Sequence, residues 1–214
     1  MPETVAIIGA GPLGRWLALA AARAGFSVLL EDVMPANLHH AQEWLRLELG
    51  EGLSPQKPSD PSTDPNTGPS TPLRSAQDDS AMGVTFVSTI EDAVREADLA
   101  IDCVPDELES KLEILWLLDR MAPPRTVLAT PTTRLSIDDL ANCTYRPDKC
   151  IAIVAEACEL TGNAGADDRC REILLRITAK TSRESAELLE RFWKRLGFLP
   201  VFANVNKRPC PANA

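Results

Sequence analysis

Apolar positions in this chain fall into short unbroken runs, separated by stretches in which they recur every three or four residues. Runs of the first kind are Val5 to Ile8, Val28 to Leu30, Val84 to Val87, Ala97 to Val104, Thr126 to Thr130, Cys150 to Ala155, Ile173 to Thr178 and Leu199 to Ala203. Near-continuous apolar runs such as Ala97–Val104 are the pattern of strands covered on both faces, as in a parallel sheet. Between the runs, helical spacing predicts helices after Gly14, over Pro35–Gly50 (Leu38, Ala41, Trp44 or Leu45, Leu49), and over Thr89–Glu96. Further helices are predicted over Glu107–Arg120 (Leu108, Leu112, Leu115, then Leu118 or Met121), Ser136–Asn142 and Ser182–Leu196. Ser136 followed by Asp139 resembles a capping box, and Gly197 marks the end of the last helix. Strands alternating with helices predict an α/β chain: one open, mostly parallel, doubly wound sheet in a single domain.

The opening of that pattern carries chemistry. Val5–Ile8 leads into Gly9-Ala10-Gly11-Pro12-Leu13-Gly14, then an Ala/Leu-rich helix, then Val28–Leu30 ending in Glu31-Asp32. Strand, glycine turn, helix, strand and terminal acid together form the dinucleotide-binding fingerprint of a Rossmann-like fold. Gly9 permits the tight turn, Gly11 lets the backbone approach a pyrophosphate, and Gly14 lets helix and strand pack closely. The helix N-terminus presents N–H groups to the anion. Asp32, 18 residues beyond Gly14, is placed to accept both hydroxyls of an adenosine ribose. Its charge would repel a 2′-phosphate, and Val33-Met34-Pro35-Ala36-Asn37 supplies no Lys or Arg to neutralise one. NAD is therefore expected rather than NADP.

Residues 51–82 interrupt the alternation; Glu51 to Ser80 holds six prolines among Ser, Thr, Asp and Gly. With almost nothing apolar to bury, this segment reads as a flexible insertion in a 1–206 domain, with 207–214 as a tail. A net charge of −9 argues against nucleic acid and anionic membrane surfaces, and no apolar stretch is long enough to span a bilayer. Six scattered cysteines without a CxxC pair fit reduced thiols, and a strand beginning within about three residues of Met1 leaves no room for a signal peptide. A cytoplasmic location is the expectation. No metal site is expected: His39 and His40 are adjacent on a helix and point about 100° apart.

Five further segments resemble the NAD-binding domain of the L-3-hydroxyacyl-CoA dehydrogenase family. Asp102-Cys103-Val104-Pro105-Asp106-Glu107-Leu108-Glu109-Ser110-Lys111 is similar to the family's E-A-(V/I)-x-E-x-L-x-x-K. The resemblance implies that Val104, Pro105, Asp106 and Lys111 lie at the cofactor, with Asp106 and Lys111 beside the nicotinamide ribose. Leu128-Ala129-Thr130-Pro131-Thr132-Thr133-Arg134-Leu135-Ser136-Ile137 resembles L-A-(S/T)-N-T-S-S-L-S-I, which adds Thr133 to the cofactor set. Arg146 to Ala152, Lys180 to Ser182 and Gly197 to Val201 match the later pieces in order.

The departures fall on the reaction. These enzymes pass a hydride from an alcohol to NAD while a histidine, held by a glutamate, takes the hydroxyl proton. On the resembling segments the histidine position falls on Val154, and the glutamate falls on Leu174, with Glu172 two residues away if the register shifts. The family's asparagines become Pro131 and Ala157. The family also continues into a helical domain that dimerises and closes over the acyl-CoA, whereas this chain ends shortly after Asn204-Val205-Asn206. The resemblance thus implies NAD(H) binding and does not carry over an acyl-CoA substrate. Thr133 and Glu156 are the remaining candidates for proton transfer, with Lys111 behind them. Three readings stay open: a non-catalytic NAD(H)-binding protein, acting as a homo-oligomer or a partner subunit; an oxidoreductase with altered chemistry; and a relic that binds nothing.

Overall fold

A computed structural model of the chain describes residues 3–49, 80–81, 83–155 and 171–204. In chain order the elements are β1 (Thr4–Ile8), α1 (Pro12–Arg23), β2 (Ser27–Glu31), α2 (Pro35–Glu48), β3 (Ser80–Ala81), β4 (Val84–Val87) and α3 (Ile90–Val94). There follow β5 (Leu99–Asp102), α4 (Leu108–Met121), β6 (Val127–Pro131), α5 (Ile137–Asn142), β7 (Cys150–Val154), β8 (Arg171–Ile177), α6 (Arg183–Arg195) and β9 (Phe198–Asn204). The strands form one sheet in the order β3-β4-β2-β1-β5-β6-β7-β8-β9. All neighbours run parallel except β3–β4 and β7–β8. The expected doubly wound, mostly parallel sheet is what forms.

The two layers can be read from alternate side chains. Val5 and Ile7 of β1, Leu99 and Ile101 of β5 and Val127 and Ala129 of β6 share one apolar core with Leu17 of α1, Leu45 of α2 and Leu189, Phe192 and Trp193 of α6. Ala6 and Ile8, Ala100 and Leu128 face the other core, with Val94 of α3, Leu115 and Leu118 of α4 and Leu140 of α5. Successive side chains of a strand point to opposite faces, so a strand covered on both sides must be apolar throughout. This is why the sequence runs are unbroken.

Local signals also hold. Ser136, Ser182 and Thr89 accept hydrogen bonds from the backbone N–H groups three residues on, opening α5, α6 and α3. Gly197, with φ at +86°, follows the end of α6. Of the segment expected as an insertion, residues 51–79 and Met82 lie outside the described residues, as does the 207–214 tail. Ser80 and Ala81 are structured: they pair antiparallel with Thr85 and Val84 across a turn at Gly83, where φ is +91°. No helix among the described residues is long and apolar enough to cross a membrane.

Candidate functional site

The sheet order places β1 between β2 and β5, and the helices that leave β1 and β5 cover opposite faces. Leu17 of α1 belongs to one core and Leu115 of α4 to the other. Such a switch point opens a crevice at the C-terminal ends of the strands. A cleft of about 560 Å³ lies there, lined by residues that follow β1, β2, β5, β6 and β7. Gly9, Gly11, Pro12, Leu13, Asp32, Val104, Pro105, Asp106 and Thr133, all expected at a cofactor, line it together.

The three glycines differ in what demands them. Gly9 has φ at +104°, and a Cβ there would meet the Cys103 backbone at 3.2 Å. At Gly14 a Cβ would collide with the Gly9 carbonyl, so the close approach of α1 to the β1 turn requires glycine. Gly11 has ordinary dihedrals (φ −65°, ψ −176°), and a Cβ there would meet nothing within 4 Å. The chain's own packing therefore explains Gly9 and Gly14 and does not by itself require glycine at position 11. Pro12 occupies the first turn of α1, and the Leu13 and Gly14 amides precede the first intrahelical bond, from Arg15 N–H to the Gly11 carbonyl.

Asp32 sits at the β2 end of the cleft with its carboxylate fully engaged. Oδ2 accepts the Ala10 N–H at 2.8 Å, Oδ1 accepts the Met34 N–H at 2.8 Å, and the Asn37 amide reaches both oxygens at 3.1 Å. Two oxygens offer about four lone-pair directions, so this acceptor is saturated. Asn37 lines the cleft, and sequence reading gave it no role. Its only signal was a short amide side chain placed near the start of α2 after a terminal acid. Beside Asp32, burial pushes the Glu31 carboxyl up to about 7, with the Asp32 charge adding to the rise.

At the β5–β6 end, Asp106 accepts the Thr133 N–H at 3.2 Å through Oδ2. Its Oδ1 is buried without a hydrogen-bond partner. Lys111, expected beside the nicotinamide ribose, does not line the cleft. It is 1% exposed, and its Nζ lies 3.2 Å from Asp102 Oδ2, also buried, at the end of β5. One turn of helix carries Lys111 back over the strand end, where a buried carboxylate captures it. Asp102 also accepts the Val104 N–H at 3.0 Å and the Thr130 hydroxyl at 2.9 Å. Burial raises its pKa, while Lys111 and these two donors oppose the rise. The next residue, Cys103, lines the cleft as a thiol: burial first, then the Asp102 charge, holds its pKa far above the ordinary range.

Val154 and Leu174, on the positions where the resemblance puts histidine and glutamate, are directly opposed partners across β7 and β8. Two positions read separately along the sequence thus come together at the end of the sheet where Ala155 enters the cleft wall. Glu156, Ala157, Cys158 and Cys170 lie outside the described residues. Glu172 is on the same face of β8 as Leu174 and is paired in register with Leu199 of β9, one strand further from the cleft wall. Among the described residues no cluster of His, Cys, Asp or Glu could hold a metal ion.

A dinucleotide fits two features of this site: the open space at Gly11 and the unpaired Oδ1 of Asp106. Comparison with known proteins agrees. Residues 4–154 match the family model described as 3-hydroxyacyl-CoA dehydrogenase, NAD binding domain. A probable 3-hydroxybutyryl-CoA dehydrogenase of Bacillus subtilis is 29% identical over 151 residues, 71% of this chain and 47% of that protein. A 3-hydroxybutyryl-CoA dehydrogenase of Bradyrhizobium diazoefficiens is 26% identical over 191 residues, 86% of this chain and 60% of that one. The chain thus spans about half the length of such relatives. The crystal structure of (S)-3-hydroxybutyryl-CoA dehydrogenase from Ralstonia eutropha shares the fold, with a TM-score of 0.71 at 21% identity over 95% of this chain and 64% of that one. On the matched residues, the fold and the cleft, the chain belongs to the 3-hydroxyacyl-CoA dehydrogenase family as its NAD-binding domain, and NAD is its cofactor.

Proposed function

We propose that this chain binds NAD(H) in the cleft and does not oxidise 3-hydroxyacyl-CoA with groups of its own. The observation behind this is the opposed pair Val154 and Leu174. A base must be titratable and its orienting partner polar. Two aliphatic side chains facing each other across the strands supply neither.

In this reading the nucleotide lies across the strand ends. Leu13 and Gly14 N–H groups hold the pyrophosphate over Gly11, and Asp32 takes the adenosine ribose, whose diol replaces the Asn37 amide. Asp106 Oδ1 takes a hydroxyl of the nicotinamide ribose, and Val104 and Pro105 form the apolar wall beside it. Bound NAD supplies hydride acceptance. The residues on this chain position it and keep one side of it dry.

A second reading, an oxidoreductase with altered proton-transfer chemistry, draws on Thr133, which lines the cleft. Turnover decides between the two. With acetoacetyl-CoA and NADH, protein free of contaminating enzyme should consume no NADH. A rate of about one per second or faster, ordinary for an enzyme, would refute the non-catalytic reading. Val154→His alone should also stay inactive, because losses acting on one transition state are not recovered singly.

A further inference from the structure

The far end of the cleft holds a cation that the nucleotide does not account for. Arg134 lines the cleft on the loop after β6, and it stands where the resembling segment has its second serine. Only its backbone is tied locally, its N–H donating to the Thr132 hydroxyl at 3.3 Å. Arg134 is exposed, and among the described residues its guanidinium forms no ion pair, whereas Arg23, Arg95, Arg125, Arg146, Arg183, Arg191 and Arg195 each do. Asp106, which lines the same cleft, accepts the Thr133 N–H and forms no ion pair with Arg134.

Sheet geometry locates this cation relative to the cofactor. Neighbouring strands lie about 4.8 Å apart. The order β2-β1-β5-β6 puts the end of β6 about 14 Å from the end of β2, where Asp32 stands, and about 10 Å from the end of β1, where Gly11 begins the anion cradle. The loop that carries Arg134 therefore leaves the sheet on the β6 side of the cleft, away from Asp32. Pro131, Thr132, Thr133 and Ala155 line the same wall, and its one acid among the described residues, Asp106, accepts the Thr133 N–H. A guanidinium presents a planar fork of N–H donors that matches a carboxylate two bonds at a time.

We propose that Arg134 binds the carboxylate of a small organic acid held against the NAD(H) in this cleft. This rests on the NAD(H)-binding reading above and adds to it the class of the second ligand. A thioester end is neutral and offers Arg134 one carbonyl oxygen. A free carboxylate offers two oxygens and the opposite charge. Ligands of this class therefore gain from Arg134 what a CoA ester of the same skeleton cannot.

The test uses acetoacetate and its neutral methyl ester as probes, titrated into protein saturated with NADH and followed by the nucleotide's fluorescence. Wild type should bind acetoacetate about tenfold or more tightly than the ester, the scale of a charge-assisted hydrogen-bonded pair. Arg134→Gln should erase that preference, and Arg134→Lys, a charge without the fork, should keep part of it. The NADH dissociation constant should be the same in all three proteins. Equal binding of acid and ester by wild type, no binding of either, or a preference that survives Arg134→Gln would overturn the proposal. Weaker NADH binding in Arg134→Gln would also overturn it, by assigning the cation to the nucleotide. Failure of wild type to bind NADH in the first step would mark failure of the cofactor reading itself, and the proposal would fall with it.

Discussion

Replacing Lys111 by Met leaves the Asp102 carboxylate buried with two hydrogen-bond donors, the Val104 N–H and the Thr130 hydroxyl, and no cation. Breaking a buried ion pair on one side costs about 3–5 kcal/mol. For a chain of this size each kcal/mol moves Tm by about 2–4 °C, so Lys111→Met should melt roughly 6–20 °C below wild type. The loss should depend on pH in a fixed direction. Burial already raises the Asp102 pKa above 3.8, and removing the opposing Lys111 charge raises it further. Between the unfolded and folded values the native state holds a proton that the unfolded chain has released. Stability of the variant therefore falls as pH rises through that interval, by at most about 1.4 kcal/mol per unit. Urea unfolding at pH 5 and pH 8 should show the wider gap from wild type at pH 8. Removing both charges in Asp102→Asn/Lys111→Met should recover most of the loss, since the Thr130 hydroxyl can turn to accept from the new amide. NADH affinity should be near that of wild type in the double variant. A single variant that loses less than about 1 kcal/mol, or a double variant as unstable as the single, would refute the assignment of Lys111 to Asp102.

Two other outcomes follow from the β2 end of the cleft. Glu31 is raised from 4.5 to about 7, so its native-state contribution is intact below pH 4.5 and is lost as pH rises through 7. Glu31→Gln should therefore match wild type near pH 4.5 and exceed it by up to about 3 kcal/mol at pH 8, read as the difference in Tm; a difference that does not change with pH would contradict this. Asp32→Ala should weaken NADH by about 1–3 kcal/mol, while Asn37→Ala, which frees the Asp32 oxygens, should leave binding equal or tighter; an Asn37→Ala loss as large as that of Asp32→Ala would show that the amide itself holds the ribose.

The sequence was most readable where one local rule dictates the outcome. A near-continuous run such as Ala97–Val104 had to be a strand covered on both faces, and the Gly9–Gly14 turn between strand and helix had to sit at the mouth of the sheet. The equally apolar run of β9, by contrast, lies at the edge with Leu199 and Val201 exposed. Asp32 could be placed because it ends the second strand of that unit. What could not be read depends on contacts between distant segments. The direction of β8 is one case, because Arg171–Ile177 is equally apolar whichever way it runs. Lys111 is another: a motif gives its spacing from Asp106, but only the fold brings the Asp102 carboxylate close enough to take it inward. Asn37 was hidden because its amide matters only through an acid five residues earlier that it reaches from the next helix. Val154 and Leu174 were each identified by resemblance, and their direct opposition on β7 and β8 is a fact of register.

The central claim is that a dinucleotide, and not the chain's own packing, requires the glycine at position 11. NADH titration of wild type and Gly11→Val, followed by fluorescence alongside thermal unfolding, tests it directly. A Cβ at Gly11 meets nothing within 4 Å, so the variant should melt with wild type, whereas the backbone approach that a pyrophosphate needs should be blocked. Wild type should bind NADH saturably, and a folded Gly11→Val should bind none. Wild-type affinity in that variant, or no binding by wild type, would contradict it.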